Sequence, residues 1–78
     1  MYIVYVLRDK DNKFYKGVTN NLSRRLKEHR GKHTTTTSRM SDLSVVYTEK
    51  YSSFEIARER ELYLKSAAGR RFIKKKIN

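Results

Sequence analysis

The sequence contains no cysteine, no proline and no tryptophan, and only three glycines among 78 residues. Without cysteine there is neither a disulfide nor a thiolate zinc site, and two histidines are too few soft ligands for a structural zinc centre. A chain this short holds one domain, over residues 1–78, whose stability must come from ordinary packing of Tyr, Phe, Ile, Val and Leu. Cysteine-free composition fits a reducing cytoplasm. Long apolar runs are missing too. No stretch approaches the roughly 20 residues of a membrane-spanning helix, and Met1 to Leu7 lacks the basic flank and the length of an export signal. A soluble cytoplasmic protein with no membrane association is therefore expected. Acidic residues are scarce: eight Asp and Glu face nineteen Lys and Arg, for a net charge of +11. A field of that sign on so small a body concentrates polyanions, and DNA or RNA is the usual one. Charge alone carries no information about catalysis, and it would also suit an anionic membrane surface.

What is present reads as a small α/β (α+β) domain. Tyr2 to Leu7 is rich in β-branched and aromatic residues and predicts a strand. Asp9 to Asn12 is turn material, and Lys13 to Thr19 resumes a strand, giving a hairpin. Asn20 or Asn21 offers an N-cap for a short helix carrying Leu22 and Leu26 and ending near Gly31. Lys32 to Met40, with four consecutive threonines, predicts a loop. Leu43 to Thr48 predicts a third strand. Ser52 and Glu55 have the spacing of a capping box before a helix running to about Lys65. Ala67 to Gly69 marks a break, followed by a short basic helix with Phe72, Ile73, Lys76 and Ile77 at helical spacing. The predicted order is β-β-α-β-α-α.

Some polar residues fall where packing alone would place apolar ones. At about 100° per residue, Arg25 and His29 lie beside Leu22 and Leu26, one turn apart, so they can address the same point. Arg24, Lys27 and Glu28 take the solvated side. Glu61 projects between Phe54 and Ala57 and near Leu64, where a carboxylate is costly unless compensated. A metal ion would compensate it; so would Arg25 or Arg60, which also falls inside the apolar arc. Tyr5 and Tyr15 read by themselves as strand tyrosines packing a core. Gly17, two residues after Tyr15 and on the same face, either leaves room for a ligand or makes a bend before the helix.

Taken in order, Ile3-Val-Tyr5, Phe14-Tyr-Lys-Gly17 and Asn21-Leu-Ser-Arg-Arg-Leu-Lys-Glu-His29 resemble the GIY-YIG nuclease superfamily, and more narrowly its small stand-alone bacterial members. Ala57-Arg-Glu-Arg-Glu61, Tyr63-Leu-Lys-Ser66 and Gly69-Arg-Arg-Phe72 extend the likeness over essentially the whole chain. The resemblance implies a three-stranded antiparallel sheet flanked by helices and metal-dependent cleavage of a nucleic-acid backbone. It implies that Tyr15 and Tyr5 are the two motif tyrosines, Arg25 the motif arginine, Glu61 the metal-ligating carboxylate and His29 the histidine that many members carry one turn after the arginine. Ile3 stands where the first motif has its glycine.

On that footing Glu61 alone among the carboxylates is expected to point inward, which favours one ion, Mg²⁺ or Mn²⁺, over a two-metal centre. Arg25 would clamp a phosphate, and Tyr15, with Tyr5 or His29, would activate the attacking water. Lys16, Gly17, Arg24, Lys27, Arg30, Lys32, Arg39, Arg70 and Arg71 are expected to meet the DNA, with Lys65 and Lys74 to Lys76 extending the basic surface. A structure-directed endonuclease in DNA repair or processing, targeted through a protein partner or by DNA structure, is the expected function. A non-catalytic nucleic-acid-binding module on the same fold is the alternative.

Overall fold

The computed structural model describes residues 1–31 and 42–77. The threonine-rich segment, with Lys32 and Arg39, lies outside the described residues. The elements are β1 (Tyr2–Arg8), β2 (Phe14–Thr19), α1 (Leu22–Arg30), β3 (Ser44–Tyr51), α2 (Phe54–Lys65) and α3 (Ala67–Ile77). The predicted order β-β-α-β-α-α is the observed one. Together they form an α+β fold on a three-stranded antiparallel sheet of order β2-β1-β3.

Val4, Tyr5, Val6 and Leu7 of β1 are all buried, because the central strand is covered on both faces. Alternation sorts these residues to two sides. Val4 and Val6 pack with Ala57, Leu64 and Ile73, so α2 and α3 cover one face. Tyr5 and Leu7 pack with Leu43, Leu22 and Leu26, so α1 covers the other.

The turn between β1 and β2 is closed by Asp9, whose carboxylate accepts from the backbone N–H groups of Asp11 and Lys13 at 2.9 and 2.8 Å. Asn12 takes a left-handed φ of 62° there, a conformation asparagine tolerates. Of the two candidate caps for α1, Asn21 serves, accepting from the Arg24 N–H at 3.0 Å. Basic Lys27 and Arg30 in the last turn suit the negative end of the helix dipole.

Three boundaries differ from expectation. The third strand starts at Ser44 and runs on to Tyr51, and a register shift opposite Val6 and Leu7 absorbs one extra residue. The Ser52 capping box is not formed: Ser53 is the N-cap of α2, and its hydroxyl donates to the Glu55 carboxylate at 2.8 Å instead. The helix break is at Ser66, not at Ala67 to Gly69. Ser66 ends α2, and its hydroxyl oxygen accepts from the Gly69 N–H at 3.2 Å to start α3. Gly69 therefore lies inside α3, where a side chain would run into the backbone of Tyr63 and Leu64. Glycine is required there by the close crossing of the two helices.

Glu49 ties α2 to the sheet. Tyr47, Glu49 and Tyr51 alternate onto the α2 side of β3, and the Glu49 carboxylate accepts from both tyrosine hydroxyls and, bidentately, from Arg60 at 2.9 and 3.0 Å. Arg60 in turn lies 4.9 Å and 4.8 Å from the ring centres of Tyr63 and Phe72. Burial alone would raise the Glu49 carboxyl; Arg60 and the two hydroxyls outweigh it and hold the group below the usual carboxylate range. The position of Arg60 inside the apolar arc is thus accounted for by Glu49, and Glu61 is not its partner. Glu61 is accordingly not alone in pointing inward.

Candidate active site

The site is assembled on the α1 face of the sheet. Tyr5 stands opposite Gly17, and Tyr15 opposite Leu7, so the two tyrosines share a face on neighbouring strands. Their ring centres are 6.2 Å apart. From α1 above, the buried imidazole of His29 meets both rings edge to face, 5.9 Å from Tyr5 and 4.9 Å from Tyr15. The space over Gly17 is filled: a Cβ at Gly17 would come within 2.5 Å of the Tyr5 hydroxyl oxygen and 2.6 Å of its Cζ. The glycine is there to let the Tyr5 ring lie across the neighbouring strand, which replaces both the ligand gap and the bend expected from sequence. No glycine among the described residues has a positive φ, so the requirement is steric.

Tyr5 is the centre of the cluster. Its hydroxyl is 2.9 Å from His29 Nε2, and the Arg25 guanidinium donates toward the same oxygen. The expectation that Arg25 and His29 address one point is met, and the point is the Tyr5 oxygen. A neutral imidazole with its proton on Nδ1 accepts the phenol proton at Nε2, and one with its proton on Nε2 donates to the phenol oxygen, so the tautomer of His29 sets the direction of this bond. Burial pushes the Tyr5 phenol up to about 12, against a lowering by Arg25. Burial, and then the Arg25 charge, lower His29 below the ordinary histidine value. At neutral pH the pair is therefore a neutral phenol hydrogen-bonded to a neutral imidazole. The Tyr5 oxygen, followed by Glu28, reinforces the charge on Arg25.

Glu28 is not on the far side of α1. It accepts from Arg25 at 3.0 Å, with both side chains about one third exposed. The two line a cleft of about 340 Å³ at the start of α1, walled by Tyr2, Thr19, Arg24 and Phe54. Tyr5, Tyr15 and His29 do not line that cleft; Arg25 connects it to them.

Glu61 is buried, with its side chain 7% exposed, and its charge is near enough to act on Tyr5. One carboxylate oxygen pairs with Arg58 and the other with Lys65 at 3.5 Å, so its compensation comes from cations three and four residues away on its own helix. Among the described residues no group of three or more His, Cys, Asp or Glu is placed to hold a metal. Any ion at Glu61 would have a single protein carboxylate and would keep most of its waters, which suits Mg²⁺. Arg58 and Lys65 are each about half exposed and can swing aside, so the residue fits such an ion.

Of the basic residues expected at a polyanion surface, Arg24, Lys27, Arg30, Arg70 and Arg71 are exposed and Lys16 is partly buried. Sequence reasoning missed Glu28 and Glu49. The alternation of Tyr47, Glu49 and Tyr51 in β3 was the available signal for the second.

A buried phenol–imidazole pair, an arginine against the same oxygen and a buried carboxylate on α2, carried by a β-hairpin and two helices, define a small α+β domain of the nuclease type. The chain belongs to the GIY-YIG family: the model of the GIY-YIG catalytic domain matches residues 1–78. Members of this family are generally nucleases, and they generally use divalent metal ions. Its relatives are small bacterial GIY-YIG proteins. It is 37% identical over 67 residues to a UPF0213 protein of Limosilactobacillus reuteri, an alignment covering 82% of this chain and 70% of the relative. A UPF0213 protein of Clostridium perfringens is 38% identical over 66 residues, covering 83% and 71%. The solution NMR structure of a UPF0213 protein from Bacillus halodurans superposes with a TM-score of 0.59 at 30% identity, over 96% of this chain and 84% of the other. Among the described residues no helix is long and apolar enough to cross a membrane.

Proposed function

We propose that this protein hydrolyses DNA phosphodiester bonds as a structure-directed, Mg²⁺- or Mn²⁺-dependent endonuclease in repair or processing. The observation that carries the reading is the Tyr5 oxygen shared between His29 and Arg25. Hydrolysis needs a water relieved of its proton and a positive group for the charge that builds on phosphate. His29, neutral at working pH, accepts a proton from Tyr5 while Tyr5 takes one from the attacking water. Tyr15, beside both rings, positions that water. Arg25, always charged, exchanges its Glu28 partner for a phosphate oxygen through its planar fork. Glu61 would hold one divalent ion, whose chemistry is to polarise the phosphate and help the 3′ oxygen depart. Arg24, Lys27, Arg30, Arg70 and Arg71 track the backbone without reading sequence.

A second reading has an observation of its own. Both Glu61 oxygens are already engaged by Arg58 and Lys65, as they would be in an inherited but idle site on a nucleic-acid-binding module. A cleavage panel of nicked, branched, single-stranded and duplex DNA with Mg²⁺ or Mn²⁺ decides between the two. Cleavage lost in Tyr15→Phe and Glu61→Gln with DNA binding kept supports the nuclease. Binding without cleavage of any substrate by the unaltered protein establishes the second reading.

A further inference from the structure

Strand β2 has a second face. Phe14 and Lys16, paired with Arg8 and Val6, point away from Tyr15 and toward α3. Between the hairpin and α3 lies a cavity of about 280 Å³ lined by Asn12, Phe14, Lys16, Arg70, Ile73 and Lys74. Arg70 and Lys74 are one turn apart on the same side of α3, so their charged ends converge on this space. Phe14 and the buried Ile73 supply its apolar walls.

The cations at this cavity differ from those of the catalytic cluster and of α2, which have carboxylate partners. Arg25 pairs with Glu28, Arg60 with Glu49, and Arg58 and Lys65 with Glu61. No carboxylate lines the cavity between β2 and α3, and among the described residues Lys16, Arg70 and Lys74 take part in no ion pair. Burial, and then repulsion from Arg70 and Lys65, hold the Lys16 ammonium below the ordinary lysine value. Three converging cations in a part-enclosed space with no counter-charge favour an anion of more than one charge. A phosphodiester carries one; a terminal phosphomonoester carries about 1.5 to 2 at neutral pH.

We propose that this cavity binds the terminal phosphate of a nucleic-acid strand through Lys16, Arg70 and Lys74. The inference rests on the reading of the substrate as nucleic acid, and it deepens that reading. The site lies on the opposite face of edge strand β2 from Tyr15, so a strand end held there would reach the catalytic cluster around the β2 edge of the sheet. The domain would then recognise a strand end, such as a nick or a processed break, without reading sequence.

The test is anisotropy with the intact protein, in a chelator that prevents cleavage, on matched oligonucleotides bearing a 5′ phosphate, a 3′ phosphate or neither. One phosphorylated form should bind about tenfold tighter than the unphosphorylated one, the gain from one added charge-assisted contact. Lys16→Met and Arg70→Gln should bring that ratio close to one. Arg71→Gln, an exposed cation outside the cavity, should weaken all three and leave the ratio intact. Equal binding of the three oligonucleotides overturns the inference and leaves the nuclease reading in place. Binding of none overturns both. The source is settled by competition: inorganic phosphate or a mononucleotide binding as tightly as the phosphorylated strand refutes the assignment to a strand end. Weak displacement, with amide shifts at Lys16, Arg70 and Lys74, supports it.

Discussion

Gly17→Ala is a one-methyl change that tests how the site is built. The added Cβ would sit 2.5 Å from the Tyr5 hydroxyl oxygen and 2.6 Å from Cζ. Both are far inside van der Waals contact, and Tyr5 is 1% exposed with no free space to retreat into. Overpacking of this kind costs about 1–3 kcal/mol. If the ring moves off His29, a buried hydrogen bond is lost, for about 1–2 kcal/mol more. Against this, alanine has less unfolded-state entropy to lose and restores roughly 0.5–1 kcal/mol. No positive φ is involved, so no backbone strain enters. The net expectation is a loss of about 1–4 kcal/mol. It should appear in urea denaturation as a lower midpoint at unchanged slope, with the His29 imidazole resonances displaced in NMR spectra. Tyr5→Val should recover most of the loss in a double-mutant cycle, because the methyl then enters vacated space. A Gly17→Ala protein within 0.5 kcal/mol of wild type, roughly the error of such cycles, and with unmoved His29 resonances would refute the steric argument.

Other outcomes follow from the same structure. Glu49→Gln should destabilise the fold by about 2–3 kcal/mol, because Arg60 loses its bidentate partner in a half-buried position. Since the Glu49 carboxyl is lowered in the fold, its contribution is present above the unfolded value near 4.5 and fades as pH falls through the folded value, and a Tm-versus-pH series should show this slope vanish in the variant. His29 is also lowered in the fold, so stability should fall as pH drops below about 6.5, and His29→Gln should flatten that region of the same series. Cleavage by the unaltered protein should decline over the same range as His29 gains a proton. Tyr5, raised to about 12, stabilises the fold below pH 10 and ceases to do so as pH rises through 12. Ultraviolet titration of the phenols should show a late component, shared with Tyr47 and Tyr51 beside Glu49, that Tyr5→Phe reduces by one phenol.

The parts of the fold legible in the sequence were those set by local periodicity. The apolar run of β1, the Asp9 to Asn12 turn and the stripe of α1 each describe one element and its own neighbours. Arg25 and His29 were identified as inward-facing for the same reason, since helical spacing alone places them beside Leu22 and Leu26. Glu49 escaped because its partners come from three places: Tyr47 and Tyr51 on its own strand and Arg60 on α2. Only the folded chain brings them together. Gly17 was ambiguous for a related reason. Its sequence neighbours say that something is close, but the Tyr5 ring arrives by strand pairing from twelve positions earlier. The start of α2 moved by one residue between adjacent Ser52 and Ser53, and the break fell at Ser66 because its hydroxyl caps α3, while Gly69 is used for the close helix crossing and not as a stop.

The ion pairs also separate by what they can be used for. Glu49 and Arg60, with side chains 14% and 28% exposed and every carboxylate oxygen engaged, form a closed structural link. Arg58 and Lys65 are each 48% exposed where they meet the buried Glu61, so they are held weakly and are free to leave. Under the proposed function Glu61 would hold a divalent ion only with Arg58 and Lys65 released from it, and the released side chains would then be free to pair with phosphate. Arg58→Gln with Lys65→Gln should therefore strengthen Mn²⁺ binding, read as paramagnetic broadening around Glu61, while weakening DNA binding at fixed salt. Weaker Mn²⁺ binding in the double variant would show that the two cations do not compete with the ion, and the exchange would have to be abandoned.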